Sequence, residues 1–298
     1  MKLFFRQLLL FGFCLTPLAA LPPALHALVQ KPEVGPVPTA IRQEFKLAEF
    51  YQKYLDADGL PIVGSEKVSD AALLECAWII GHMLEHRPEI ARTLGKSNVR
   101  FAVMAYNEFT TDIPEHAFLT PAEHWDRRAR GLGPSATAPA VSGGEENLLC
   151  FPGDPYSTEN ISIHEFSHAI HMMAMDKLDP TFDKRLRDAY QKALAAGLWK
   201  DTYAAENPAE YWAEGSQSWF DNNREKDAIH NHVNTRDELK KYDPDLASLC
   251  LEVYGDLRWR YRKPKDRAPE DTAHLKGMNP NPPKFQWRQG KAPKSDQP

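Results

Sequence analysis

The stretch Asn160-Ile161-Ser162-Ile163-His164-Glu165-Phe166-Ser167-His168-Ala169-Ile170-His171-Met172-Met173-Ala174-Met175 decides how this chain is read. His164 and His168 stand four apart, which on a helix stacks them one turn above the other, about 6 Å apart. Both imidazoles can then reach one tetrahedral ion, and Glu165, rotated by about 100°, is placed to handle a water beside it. On the same wheel His164, His168, His171 and Met175 share one face, while Ile163, Phe166, Ile170 and Met173 fall on the opposite half. The pattern predicts a helix over 158–175 with an apolar back for the core and a histidine front. His171 lies about 10 Å along the axis from His164, too far to share a tetrahedral ion. It is expected to line the cleft or support a ligand, or else to be a hydrogen-bonded structural histidine.

An inverted pattern, His82-Met83-Leu84-Glu85-His86, lies upstream. Its helix has an apolar stripe of Leu73, Cys76, Ala77, Ile80, Met83 and Leu84, from which both histidines point away, and Pro88 ends the helix at once. It reads as a decoy.

A metal held by His164 and His168 needs a third ligand. A glycine and histidine that would complete HExxHxxGxxH are missing, since positions 171 and 174 are His and Ala. The segment Tyr203-Ala204-Ala205-Glu206-Asn207-Pro208-Ala209-Glu210-Tyr211-Trp212-Ala213-Glu214 offers a downstream glutamate on a helix beginning at Asn207. Glu210 and Glu214 fall on one helix face, as a ligand and a supporting carboxylate would. Asn207, Pro208 and Glu210 also fit N-cap, N1 and N3 of a capping box, which would occupy Glu210 without a metal.

At 298 residues with 42% hydrophobic content the chain can bury one large domain or two small ones. Residues 1–27 read as a secretory signal peptide, cationic at Lys2 and Arg6 and apolar from Leu8 to Leu21, which implies a secreted or periplasmic protein. No further segment approaches about 20 apolar residues, so no integral membrane segment is expected after signal removal. Cys76, Cys150 and Cys250 allow one disulfide at most within a chain, and buried thiols are the alternative. They lack the CxxC spacing of zinc ligands. The net charge of −5 becomes −7 without Lys2 and Arg6; residues 258–298, with eleven Lys/Arg against four Asp/Glu, carry +7 and leave about −14 on the body. An acidic body argues against nucleic acid as a partner. The tail reads as a solubilising segment or as a basic arm folding back on the domain. Oligomeric state leaves no mark in the sequence.

The expected organisation is the signal peptide, a Pro-rich linker at 28–38, one domain at 39–262, with parts at 39–135 and 136–262, and a flexible basic tail at 263–298. Helices are expected near 40–55, from Ser69 or Asp70 to His86, at 88–95, 180–196, 208–221 and 243–256. Strands are expected at 98–105 and 146–151, with a polar functional loop at 107–145 between them. His124-Trp125-Asp126-Arg127-Arg128 reads as a substrate-contacting loop or a helix start. Asn107 to His116 could line a cleft, bind calcium or simply be a solvated loop. Asn160-Ile161-Ser162 matches a glycosylation sequon but lies inside the predicted site helix. The fold class is α+β, mainly helical with a small sheet.

At these residues the sequence resembles the gluzincin zinc metallopeptidases, most closely the catalytic domain of the anthrax lethal factor type. That type has HEF-small-H, then a tyrosine, an asparagine and two glutamates at the mutual spacings of Tyr203, Asn207, Glu210 and Glu214. The resemblance covers about 157–221. Pro208 and the Tyr211-Trp212 pair depart from it, and the toxin's receptor-binding and docking parts have no counterpart here. It implies a zincin-like domain holding Zn2+ through His164, His168 and Glu210. Glu165 would be the general base and Tyr203 the oxyanion donor; Asn207 and Glu214 are the supporting candidates, joined by His171 from the helix wheel alone. Peptide or protein substrates are implied, and the strand at 98–105 is a candidate edge for an extended peptide. Two rival functions stand beside this: a non-catalytic zinc-stabilised domain binding a cell-surface or wall polymer, and a zinc amidase acting on peptidoglycan cross-links.

Overall fold

A computed structural model describes residues 32–288. The expected signal peptide at 1–27, the start of the expected linker and residues 289–298 lie outside them. The described chain is α+β, with eleven helices and one six-stranded mixed sheet.

The strands are β1 (Gly35–Pro36), β2 (Lys53–Ala57), β3 (Leu60–Gly64), β4 (Arg100–Met104), β5 (Gly131–Leu132) and β6 (Ala140–Gly144). They lie in the order β1-β2-β3-β4-β6-β5, with β3, β4 and β6 parallel and the other neighbours antiparallel. The β2–β3 hairpin replaces the end of the helix expected at 40–55; only α1 (Thr39–Glu44) forms there. Asp58 and Gly59 both take positive φ, 57° and 89°, as the two central residues of a twisted hairpin turn must. The expected linker contributes β1, which pairs with β2.

The strand predicted at 98–105 forms as β4, but at the centre of the sheet, so it cannot be an edge for a peptide. It is buried on both faces by alternation: Phe101 and Val103 join the large core under the helices, Ala102 and Met104 a smaller one with Phe45, Tyr51 and Ile113. The edge strand at the other side is β5. The strand expected at 146–151 is also displaced. Ala140–Gly144 forms β6, and Glu145–Leu148 is a short helix, α5, because Glu145 turns back to accept the backbone N–H groups of Ser69 and Tyr106.

The crossover from β3 to β4 holds α2 (Asp70–Met83), capped by Ser69, and α3 (Glu89–Lys96), the first carrying the predicted apolar stripe. The 107–145 stretch is not one loop; besides β5 and β6 it contains α4 (Ala122–Arg128). α6 (Ile161–Ala169) is capped by Asn160, whose side chain accepts the Ser162 N–H; Asn160 is fully buried, which disposes of the sequon as a surface site. From Ile170 the helix widens into a π segment to Met175 and ends in α7 (Asp176–Leu178). Then follow α8 (Phe182–Ala195), α9 (Pro208–Trp219), the unexpected α10 (Arg236–Tyr242) and α11 (Pro244–Tyr254). α9 is clamped to α6 by Trp212 Nε1, which donates to the Ser167 carbonyl at 2.9 Å.

Residues 263–288 are not a loose tail. Arg267 makes two hydrogen bonds, 2.9 and 2.5 Å, to the fully buried Glu75, and His274 adds a third at 2.7 Å. Leu275 and Phe285 are buried, and Arg288 pairs with Asp112 and Asp126. The acidic body draws the basic segment in, and its apolar residues hold it there. Cys76, Cys150 and Cys250 are all free, so of the two alternatives the disulfide does not form, and Cys76 and Cys250 are buried thiols.

Candidate metal centre

His164 and His168 project from α6 into a cleft whose other wall is α9. His164 Nε2 lies 3.2 Å from His168 Nε2, and Oε2 of Glu210 lies 3.0 Å from the first and 3.3 Å from the second. A tetrahedral ion with bonds of about 2.0–2.1 Å requires ligand atoms about 3.3 Å apart, so the three atoms already span one face of such a tetrahedron. It is the one His/Cys/Asp/Glu group of this kind among the described residues. The upstream His82 instead stacks on Trp259, with ring centroids 5.1 Å apart, and approaches Glu85.

Local sequence explains how Glu210 gets there. Asn207 caps α9 by accepting the N–H groups of Ala209 and Glu210, which holds Glu210 in the first turn. The Glu210 carboxylate turns to the two histidines rather than completing a capping box.

Each imidazole must present an unprotonated Nε2 to a cation, so the other ring nitrogen matters. His164 Nδ1 meets Oε1 of the buried Gln217 at 2.8 Å, with Glu214 Oε1 at 3.5 Å. Gln217 donates to Glu159 at 2.7 Å; Arg224 Nε stands 3.3 Å from both Glu159 and Asp227. Asp227 accepts from His230 at 2.7 Å, and His230 Nε2 reaches back to Glu214 at 3.6 Å. The ring is closed, and Asn223 adds a hydrogen bond to Glu214 at 2.9 Å. Gln217 was legible in principle, because 210, 214 and 217 follow the i, i+4, i+7 spacing of one helix face. Glu159, Arg224 and His230 carry no local signal. His171, expected near the site, instead meets Asp183 at 3.1 Å and packs on Phe182; no bond from it reaches a ligand.

Glu165 and Tyr203 complete the cleft. Glu165 lies under β5 so closely that a Cβ on Gly131 would come within 2.9 Å of its Cγ, and one on Gly133 within 2.8 Å of His168 Cβ. Burial raises the Glu165 carboxyl pKa, Glu210 adds to that, and His164, His168 and the Gly133 N–H oppose it. Tyr203 stands on a 3₁₀ turn held by its own N–H to the Ile229 carbonyl at 2.8 Å, and its ring stacks on His164 with centroids 6.1 Å apart. Burial, Glu210 and Glu165 push its phenol far up, with Arg128 opposing from across the cleft. For His164 burial would lower the pKa, but Glu210, Glu165 and Glu214 outweigh it and lift the value to about 10. Three carboxylates around two imidazoles thus make a pocket that calls for a cation, and nitrogen–nitrogen–oxygen donors at these separations suit Zn2+. The cleft holds about 490 Å³ and opens past Trp125, Arg128 and Met172.

No protein-family model matches the chain, and a search of curated proteins found no match.

Proposed function

We propose that the chain is a zinc-dependent, gluzincin-like peptidase with His164, His168 and Glu210 as the metal ligands. The observation that carries this is the convergence of the three ligand atoms, 3.0–3.3 Å apart, beside a buried Glu165 in an open cleft. A bound zinc ion supplies Lewis-acid activation of a water molecule and of a substrate carbonyl.

The remaining chemistry falls to the side chains. Glu165 takes a proton from the attacking water as the oxygen–carbon bond forms, then gives it to the amine nitrogen as the carbon–nitrogen bond breaks. Burial raises its pKa, which makes it the stronger proton acceptor. Tyr203 keeps its proton because burial, Glu210 and Glu165 push its phenol pKa far above the ordinary value, and so can donate to the oxygen that becomes negative. The edge of β5, at Gly131–Leu132, runs over Glu165 and offers backbone groups to an extended peptide in place of the buried β4. A purely structural metal site would need neither Glu165 nor Tyr203 on its open side.

Zinc content and cleavage of a broad peptide library should be measured for the protein beside Glu165→Gln. Metal retained with cleavage lost supports the assignment; equal cleavage by both proteins sinks it.

A further inference from the structure

Four carboxylates line the cleft, Glu159, Glu165, Glu210 and Glu214, and two guanidiniums stand with them, Arg128 and Arg224. Arg224 is taken up, with Nε 3.3 Å from Glu159 and 3.3 Å from Asp227. Arg128 is exposed, and no carboxylate among the described residues pairs with it. Its guanidinium carbon lies 5.4 Å over the ring of Trp125, the residue one helical turn before it on α4.

The helix that presents this pair is anchored from behind. Asp126, 1% exposed, accepts the Thr111 N–H at 2.9 Å and its hydroxyl at 2.8 Å, and its other oxygen stands 2.8 Å from Arg288. Trp125 and Arg128 are therefore held on the cleft side. A guanidinium resting on an aromatic face sheds part of its hydration, keeps its fork of N–H donors, and matches a carboxylate in two-point geometry.

We propose that Arg128, backed by Trp125, binds a carboxylate of the substrate, so that the cleft selects peptides bearing an Asp or Glu side chain or a free C-terminal carboxylate near the scissile bond. This rests on the peptidase reading, and its test separates the two. Two matched peptide pairs serve as probes, one differing by Asp against Asn at a single position, the other by a free acid against an amidated C-terminus. Each pair is assayed for kcat/KM with the wild-type protein and for Kd with zinc-loaded Glu165→Gln, whose binding needs no turnover.

The carboxylate member of one pair should be favoured about ten-fold in both readouts. Which pair shows the preference tells a side chain from a chain terminus. Arg128→Gln should bring the ratio to near unity, Arg128→Lys should keep part of it, and Arg128→Glu should invert it, with zinc content and unfolding midpoint as checks on folding. A binding preference without any cleavage would overturn the peptidase reading and leave the Arg128 assignment standing. Absence of preference in both pairs, or a preference that survives Arg128→Gln, overturns the assignment.

Discussion

Nδ1 of His164 donates to Oε1 of Gln217 across 2.8 Å, joining the helix of the paired histidines to the helix of the glutamates by a fully buried bond. The bond holds the proton on Nδ1 and turns Nε2 toward Glu210 and His168. Gln217→Ala should therefore weaken zinc affinity by about 10–100-fold with helix content intact, as read by chelator competition and circular dichroism. Unchanged affinity would mean that Glu214 alone orients the ring.

Glu210 and Glu214 should separate cleanly. Glu210 reaches both Nε2 atoms, whereas Glu214 meets His164 Nδ1 and His230. Zinc titrations should show Glu214→Ala weaker by about 10–100-fold and Glu210→Ala weaker still. The reverse ranking would move the third ligand one turn along α9.

Gly133 is expected to tolerate no side chain, because a Cβ there would lie 2.8 Å from His168 Cβ. Gly133→Ala must push β5 and α6 apart, at a cost of about 1–3 kcal/mol. Urea unfolding should show that loss together with weaker zinc binding; stability and affinity equal to wild type would refute the close approach.

The clamp on residues 263–288 predicts a large structural effect far from the cleft. Glu75 is fully buried and Arg267 meets it in a two-point ion pair, so Arg267→Ala strips the buried carboxylate of its guanidinium and leaves it His274 alone. The expected loss is about 3–5 kcal/mol in equilibrium unfolding, with faster proteolysis within 263–288. A change below 1 kcal/mol, roughly the worth of a surface pair, would contradict the buried clamp.

His116 predicts a pH dependence. Burial lowers its pKa to about 4, only partly offset by Glu115, and the ring stands 3.2 Å from Ser142, whose hydroxyl oxygen accepts the Leu132 N–H of β5. The unfolded chain takes up this proton near the ordinary histidine value of about 6.5, and the folded chain does so only near 4. Stability present at neutral pH should therefore fall by about 3 kcal/mol as pH drops through that window. The pH slope of urea unfolding should shrink in His116→Gln; an equal slope in both proteins would assign the effect elsewhere.

Several elements were readable because their signal is local. Ser69 and the stripe Leu73, Cys76, Ile80 and Met83 define α2 by capping and periodicity, and α2 begins and packs as they require. Asp58-Gly59 carries a hairpin signal that the helical patterning at 40–55 obscured. Residues 98–105 look like a strand from their alternation, but alternation says nothing about which strands lie beside it, and the edges fall to the two-residue β1 and β5. The basic charge of residues 263–288 was plain, while the clamp on Glu75 was not, since its partner lies almost two hundred positions earlier.

By itself the sequence determined which groups one helix turn can bring together: His164 with His168, and Glu210 with Glu214 and Gln217, because the 3.6-residue repeat sets those distances whatever surrounds them. Only the tertiary structure decided that the two helices face each other, that Glu210 leaves its capping position for the imidazoles, and that His171 turns to Asp183 instead. Those outcomes depend on Trp212 bound to the Ser167 carbonyl and on the glycines that let β5 approach α6, contacts between residues distant in sequence. Packing of that kind is settled by shape and burial over the whole core, and no window of neighbouring residues contains it.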